Sequence, residues 1–303
     1  MRYEKPWLSY EEQADKLLER GLVFKRDELI VRLQTVGYYR LSGYWYIFKQ
    51  ETSEGNETFA QGTSFDKVWD LYVFDRQLRR LVFDAIERVE VYMRVQLAHR
   101  LAELSGAFGY LNRETLPNLD GKMYGGFISR CFSAYGRSKT QFIDHFREKY
   151  GDSHGLPPYW ALVNIMDFGM MLTLFRGSPD NVKKEIAAEF DVPAEVLESW
   201  LLTLNTVRNI CAHHDRLWNR RLGNRLKIPR GRKYPEWHTP FDIDNGSTFA
   251  LLTVLGYLVH IIAPESDWQA EIVQLVQNRG EDDLQRMGFQ LHWQESPLWV
   301  DWM

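Results

Sequence analysis

Apolar positions along this chain recur at intervals of three and four, and the recurrence stops at glycines, prolines and short polar runs. No run alternates with period two over a strand's length, so the pattern predicts an all-α fold. Ser9 stands before YEEQADKLLERG, with Glu11 and Glu12 in the first turn and Gly21 at the end, the signature of a short helix. A second predicted helix, 26–36, stops at Gly37 and leads into an aromatic cluster, YYRLSGYWYIF, at 38–48. The polar, glycine-bearing stretch 51–64 predicts a loop. From 65 to 104 neither proline nor glycine interrupts the apolar recurrence, which predicts one long helix ended by Ser105-Gly106. Glycines at 121–126 and 136 predict shorter helices, and HGLPPYW precedes a predicted helix over 159–175. Ser178-Pro179 and Asp191-Val192-Pro193 are start signals, the second for a helix running to Trp218. A loop over 221–245 then separates it from helices at 247–262 and 267–279.

The helix predicted over 193–218 carries an anomaly. On a wheel its apolar arc holds Leu197, Trp200, Leu201, Leu204, Val207, Cys211 and Trp218, and Arg208 falls inside that arc. A guanidinium cannot shed its charge and is costly to bury unpaired, so its placement needs a chemical reason. Asn205, Asn209 and His213 follow at i, i+4 and i+8 and form a polar ridge beside it. Two reasons are open. Arg208 is a structural ion-pair residue, with Asp75 or Glu90 on the core-facing arc of the long helix as partner. Otherwise it supplies fixed positive charge to an anion, with His213 as the proton carrier. Arg208 and His213 lie about 140° apart on an ideal helix, which favours a site shared between two chains or a structural arginine. His214 is the alternative histidine but points away from the Asn209 face. His213-His214-Asp215 lack the i, i+3 or i+4 spacing by which helical residues share a metal, so neither metal nor cofactor is expected.

Composition sharpens this picture. The 303 residues are 45% hydrophobic and 26% charged, which excludes disordered and fibrous classes. Two cysteines, Cys131 and Cys211, cannot build a disulfide framework, and the first residues lack a secretory signal's apolar run, so a cytoplasmic protein is expected. The most apolar stretch, 249–263, is broken by Thr253 and His260 and stopped by Pro264, which predicts a buried helix and no membrane span. Net charge is −4, yet Arg216, Arg220, Arg221, Arg225, Lys227, Arg230, Arg232 and Lys233 follow one another with no intervening acid, a local +8 suited to phosphates. Tyr38, Tyr39, Tyr44, Trp45 and Tyr46, with Arg40 and Lys49, could stack bases. Gly37 and Gly43 bracket them and favour packing of the N-terminal unit or a dimer face instead.

RNICAH, residues 208–213, has the form R-N-x-x-x-H and resembles the RX4–6H signature of HEPN-domain ribonucleases. With it stand KPWLSYEEQ (5–13), VGYYRLSGYW (36–45), LYVFDRQLR (71–79), AIERVEVYMR (85–94), LPPYWALV (156–163) and RNICAHHDRLWNR (208–220). In order and spacing these segments resemble the Abi-like family of abortive-infection phage-resistance proteins, of the AbiD/AbiF type, over 5–279. The resemblance implies an N-terminal helical unit (1–50), a HEPN-type bundle (63–280) and a C-terminal tail (281–303). It implies a metal-independent endoribonuclease leaving 2′,3′-cyclic phosphate and 5′-hydroxyl ends, acting as a homodimer on RNA, with a cognate non-coding RNA as a further partner. Arg208 would bind the scissile phosphate, His213 would serve as general base or acid, and Asn209 would orient the imidazole, with His214 and Asn205 in reserve. The alternative is a non-catalytic RNA-binding or protein-interaction module in which Arg208 is structural.

Overall fold

The computed structural model describes residues 2, 4, 6–51 and 57–302. Lys5, at the head of one quoted motif, and residues 52–56 of the predicted loop lie outside the described residues. Contacts divide the chain into two units, 1–78 and 79–303, with the boundary inside one long helix. The fold is all-α, and among the described residues no helix is long and apolar enough to cross a membrane.

The first unit holds α1 (Tyr10–Glu19), α2 (Arg26–Thr35), α3 (Tyr38–Trp45) and the beginning of α4 (Phe65–Ser105). A reciprocal cap starts α1: Ser9 Oγ accepts from Glu12 N at 3.2 Å while the Glu12 carboxylate accepts from Ser9 N at 2.7 Å. Gly37, at φ +89°, turns α2 into α3 through a conformation that costs a side-chain-bearing residue dearly. The aromatic cluster is thereby helical. Its inward face packs edge-on, Trp45 against Tyr38 and Phe59, and Tyr44 against Tyr72, while Tyr39 stays 78% exposed. The stretch read as loop and the two residues before it form a strand pair, β1 (Lys49–Glu51) antiparallel to β2 (Glu57–Phe59). Three residues a side are too few for alternation to register in the sequence.

The second unit takes the rest of α4, then α5 (Gly121–Arg137), α6 (Gln141–Tyr150), α7 (Tyr159–Leu162), α8 (Phe168–Gly177), α9 (Asp180–Ala188), α10 (Ala194–Ala212), α11 (Thr248–Ile262), α12 (Trp268–Gln277) and α13 (Glu281–Arg286). At its centre lies α11, buried on nearly every side from Thr248 to Val259, as its uninterrupted apolar sequence requires. Gly125, Gly126 and Gly136 do not divide α5. Each costs about 1 kcal/mol relative to alanine, and the buried face of Phe127, Cys131 and Ala134, with Asp120 capping the first turn, holds the helix through them. The single helix expected over 159–175 is instead two. A 3-10 turn (Val163–Ile165) and an extended Met166 intervene, and Asp167 recapitulates a helix start by accepting Met170 N at 2.8 Å. From Glu281 to Trp302 the chain packs against this core, with Trp299 fully buried, stacked on Phe249 and donating from Nε1 to Thr253 Oγ1 at 2.8 Å.

Candidate functional site

The motif lies at the end of α10. The buried side of this helix is Val196, Leu197, Trp200, Leu201, Thr203, Leu204, Val207, Ile210 and Cys211. It stops at Ala212 rather than continuing to Trp218, so His213 is the C-cap. Two backbone bonds close the end: His214 N donates to Cys211 O at 3.1 Å and Asp215 N to Ile210 O at 2.9 Å. These are the paired bonds of a Schellman ending, with His214 at φ +60° where glycine is usual. Histidine in the left-handed position carries no sequence signal for termination, and that is why the helix reads six residues too long. Trp218 is buried, but from the chain beyond the helix.

Arg208 projects toward α4. It is half-buried, its guanidinium lies 5.8 Å from the Phe83 ring centroid, and its Nε is buried with no hydrogen-bond partner among the described residues. Of the two carboxylates considered for it, Asp75 belongs to the first unit and accepts the Tyr44 hydroxyl at 2.6 Å. Glu90 is near enough for its charge to be felt by Arg208, yet its ion pair is with Arg94, one turn along α4, and Arg94 also donates to Met166 O. Burial pushes the Glu90 carboxyl above the usual carboxylate range, opposed by Arg94 and then by Arg208. No carboxylate among the described residues makes an ion pair with Arg208 itself. Arg94 and Asp167 were both absent from the sequence-derived set. A signal for each existed: Arg94 stands at i+4 from Glu90, and Asp167 directly precedes an apolar run.

Asn205 lies one turn before Arg208, half-buried against the first turn of α8. A Cβ built on Gly169 would come 3.9 Å from Asn205 Oδ1, 3.9 Å from Arg130 Nη1 and 3.3 Å from Asp167 Oδ1. Arg130, on α5, thus joins the motif face, and nothing in its local sequence announces it. Asn209 and His213 are exposed, and His213 N donates to Asn209 O at 2.9 Å, the last turn's bond. His214 is exposed as well.

The basic segment is an ordered strap laid back along α10. Asn224 O accepts from Thr203 Oγ1 at 3.3 Å, Arg225 O from Ser199 Oγ at 3.3 Å, and Lys227 O from Trp200 Nε1 at 2.8 Å. Lys227 N donates to Ser199 Oγ at 3.0 Å, and Asn224 Nδ2 to Thr206 Oγ1 at 3.0 Å. Its charge is smaller than the linear count. Arg221 is ion-paired with Asp244, and Lys233 with Asp191, so two of the eight cations are neutralised by acids that other segments bring. Arg220 donates to Arg216 O at 3.3 Å, and both are half-buried. Arg225, Lys227, Arg230 and Arg232 are exposed and make no ion pair among the described residues. At the far end, His238 bonds Asp242 Oδ1 through Nδ1 and Pro229 O through Nε2, each at 2.8 Å. The Asp242 bond first, then the Pro229 carbonyl, raise its pKa above the ordinary histidine value.

An all-α protein results, in which one helix ends on an exposed histidine, carries a half-buried arginine that no carboxylate among the described residues pairs with, and is flanked by a cationic strap. The chain belongs to the Abi-like protein family, whose family model matches residues 32–219, from α2 through α10. No curated protein and no solved structure matches it.

Proposed function

We propose that this protein is a metal-independent endoribonuclease of the HEPN type, acting in abortive-infection phage defence. The observation that carries the reading is Arg208: a half-buried guanidinium, in no ion pair among the described residues, five residues before an exposed histidine at a helix end. Family membership supports the defence role. Arg208 binds the scissile phosphate and stabilises charge on its non-bridging oxygens. The RNA 2′-oxygen attacks phosphorus as one His213 takes its proton, and a second imidazole protonates the departing 5′-oxygen. The products are a 2′,3′-cyclic phosphate and a 5′-hydroxyl. Two proton carriers are needed and the R-N-x-x-x-H form occurs once in the sequence, at 208–213, so two copies complete the site. Arg225, Lys227, Arg230 and Arg232 guide the RNA backbone along α10.

One observation favours a second reading: the charge of Glu90 acts on Arg208, as it would on a structural arginine in a non-catalytic binding module. End-group analysis of RNA incubated with purified protein in excess chelator decides between them. Wild type is expected to yield cyclic-phosphate ends that Arg208→Ala and His213→Ala both lack. Cleavage by His213→Ala at the wild-type rate would overturn the catalytic assignment.

A further inference from the structure

A cavity of about 740 Å³ opens between the segment after α4, helix α6 and the start of α7. Its walls are aromatic: Phe108, Phe142, Phe146, Tyr150, His154 and Trp160. The His154 and Phe108 rings lie parallel, 4.3 Å between centres and 9° between planes, and make one wall flat. Trp160 is 58% exposed, and Phe142 and Tyr150 are exposed too. Rings left to water together mark a surface that a ligand covers. Trp160 belongs to the LPPYWALV segment, which the proposed cleavage chemistry does not use.

The lining narrows the ligand. No leucine, isoleucine, valine or methionine among the described residues lines the cavity, and those are the side chains that receive the apolar face of a partner helix. No carboxylate lines it either. Lys149 Nζ stands 5.3 Å from the centre of the Tyr150 ring and is in no ion pair among the described residues. A planar ring carried on an anionic backbone suits this lining, because the ring stacks, the ammonium meets a phosphate, and no fixed negative charge opposes either. The cavity is also joined to the motif region. A second cavity, of about 570 Å³, shares Trp160 and Asn164 with it and follows α4 to Arg94. Arg94 holds Glu90, whose charge Arg208 feels, so the trough leads from the aromatic walls to the part of α4 that Arg208 faces.

We propose that the aromatic cavity is a stacking subsite for an unpaired base of the RNA, with Lys149 at the phosphate beside that base. It rests on the RNA-directed reading above and names what that reading leaves open: the substrate is single-stranded at a position removed from the cut. The subsite grips the strand and performs no chemistry.

The test uses the full chain carrying His213→Ala, so that bound RNA stays intact. The probes are a fluorescent single-stranded RNA, a base-free strand of the same length and charge, and adenosine monophosphate. The parent is expected to bind the intact strand more tightly than the base-free one. Trp160→Ala, at an exposed position, is expected to weaken the intact strand about tenfold while the salt dependence and the melting temperature stay in place. Trp160→Phe keeps a stacking face and is expected to retain most of the affinity. Lys149→Gln is expected to lower the slope of log affinity against log salt by about 0.7. Equal binding of the intact and base-free strands by the parent, or full RNA affinity in Trp160→Ala, overturns the subsite and leaves the cleavage reading standing. An unchanged slope in Lys149→Gln overturns the phosphate contact. Trp160-dependent binding of adenosine monophosphate, with RNA affinity indifferent to Trp160, assigns the cavity to a free nucleotide and overturns the strand subsite. If the parent binds no RNA at all, the RNA-directed reading fails as well, so the two failures are distinguishable.

Discussion

Arg208 and Glu90 sit in one polar region, and the two substitutions have opposite expected effects. Glu90→Ala removes the partner of Arg94 and the one negative charge shown to act on both Arg94 and Arg208, an expected loss of about 3 kcal/mol in denaturant unfolding. Arg208→Ala removes a cation in no ion pair among the described residues, and is expected to abolish RNA cleavage while shifting the melting temperature by only a few degrees. A fall in stability as large as that of Glu90→Ala would make Arg208 structural. His214 offers a third measurement. Its left-handed backbone is strained for histidine, so His214→Gly is expected to stabilise the fold by about 1 kcal/mol in the same unfolding experiment. The apolar arc and polar ridge of α10 were legible in the sequence, because side-chain period alone places Arg208 and Asn205. The left-handed turn at His214 was not, since only the backbone bonds of Cys211 and Ile210 impose it.

At the scale of elements, the strap shows how a loop becomes part of a surface. Hydroxyls of Ser199 and Thr203 take the place of secondary-structure partners for backbone groups of 224–227, and Thr206 holds the Asn224 side chain, so the backbone from which the cations project is held to α10. Ser199→Ala is expected to cost about 1 kcal/mol and to speed amide exchange at Lys227. The His238 bonds to Asp242 and Pro229 tie the far end, with Arg230 opposing the imidazolium charge. Folding raises the His238 pKa, so its contribution is complete below the unfolded value and disappears as pH rises through the folded one. Protection of the amides over 229–242, taken relative to the intrinsic exchange rate at each pH, is therefore expected to fall as pH rises above the ordinary histidine value of about 6.5, and His238→Gln to remove that fall. Counting charges along the sequence overstates this segment, because Asp191 and Asp244 reach it from elsewhere in the fold.

For the molecule as a whole, stability rests on α11 and on the chain that closes over it. A methyl added at Gly256 would overlap the Trp302 ring, so Gly256→Ala is expected to loosen the C-terminal segment and lower the melting temperature. The residues beyond the family match, 220–302, thus supply the innermost helix and its cover. If two chains share one catalytic centre, subunit exchange with excess His213→Ala protein should extinguish wild-type cleavage, because every mixed dimer lacks one of the two imidazoles. Cleavage that persists in the mixed dimers, with exchange demonstrated by mixed-mass species, would place a complete centre within one chain.

Periodicity, capping residues and turn formers were enough to determine the all-α class, the long uninterrupted α4, the buried α11 and the helix that carries Arg208, Asn209 and His213. These depend on neighbours within a few positions, and such neighbours are written in the chain. Tertiary structure alone decided that Arg208 comes within reach of the Glu90 charge without pairing with it, that Arg130 comes to the Asn205 face, and that the basic strap keeps only part of its charge. Each of those outcomes is a contest between groups far apart in sequence, settled by which helices pack together.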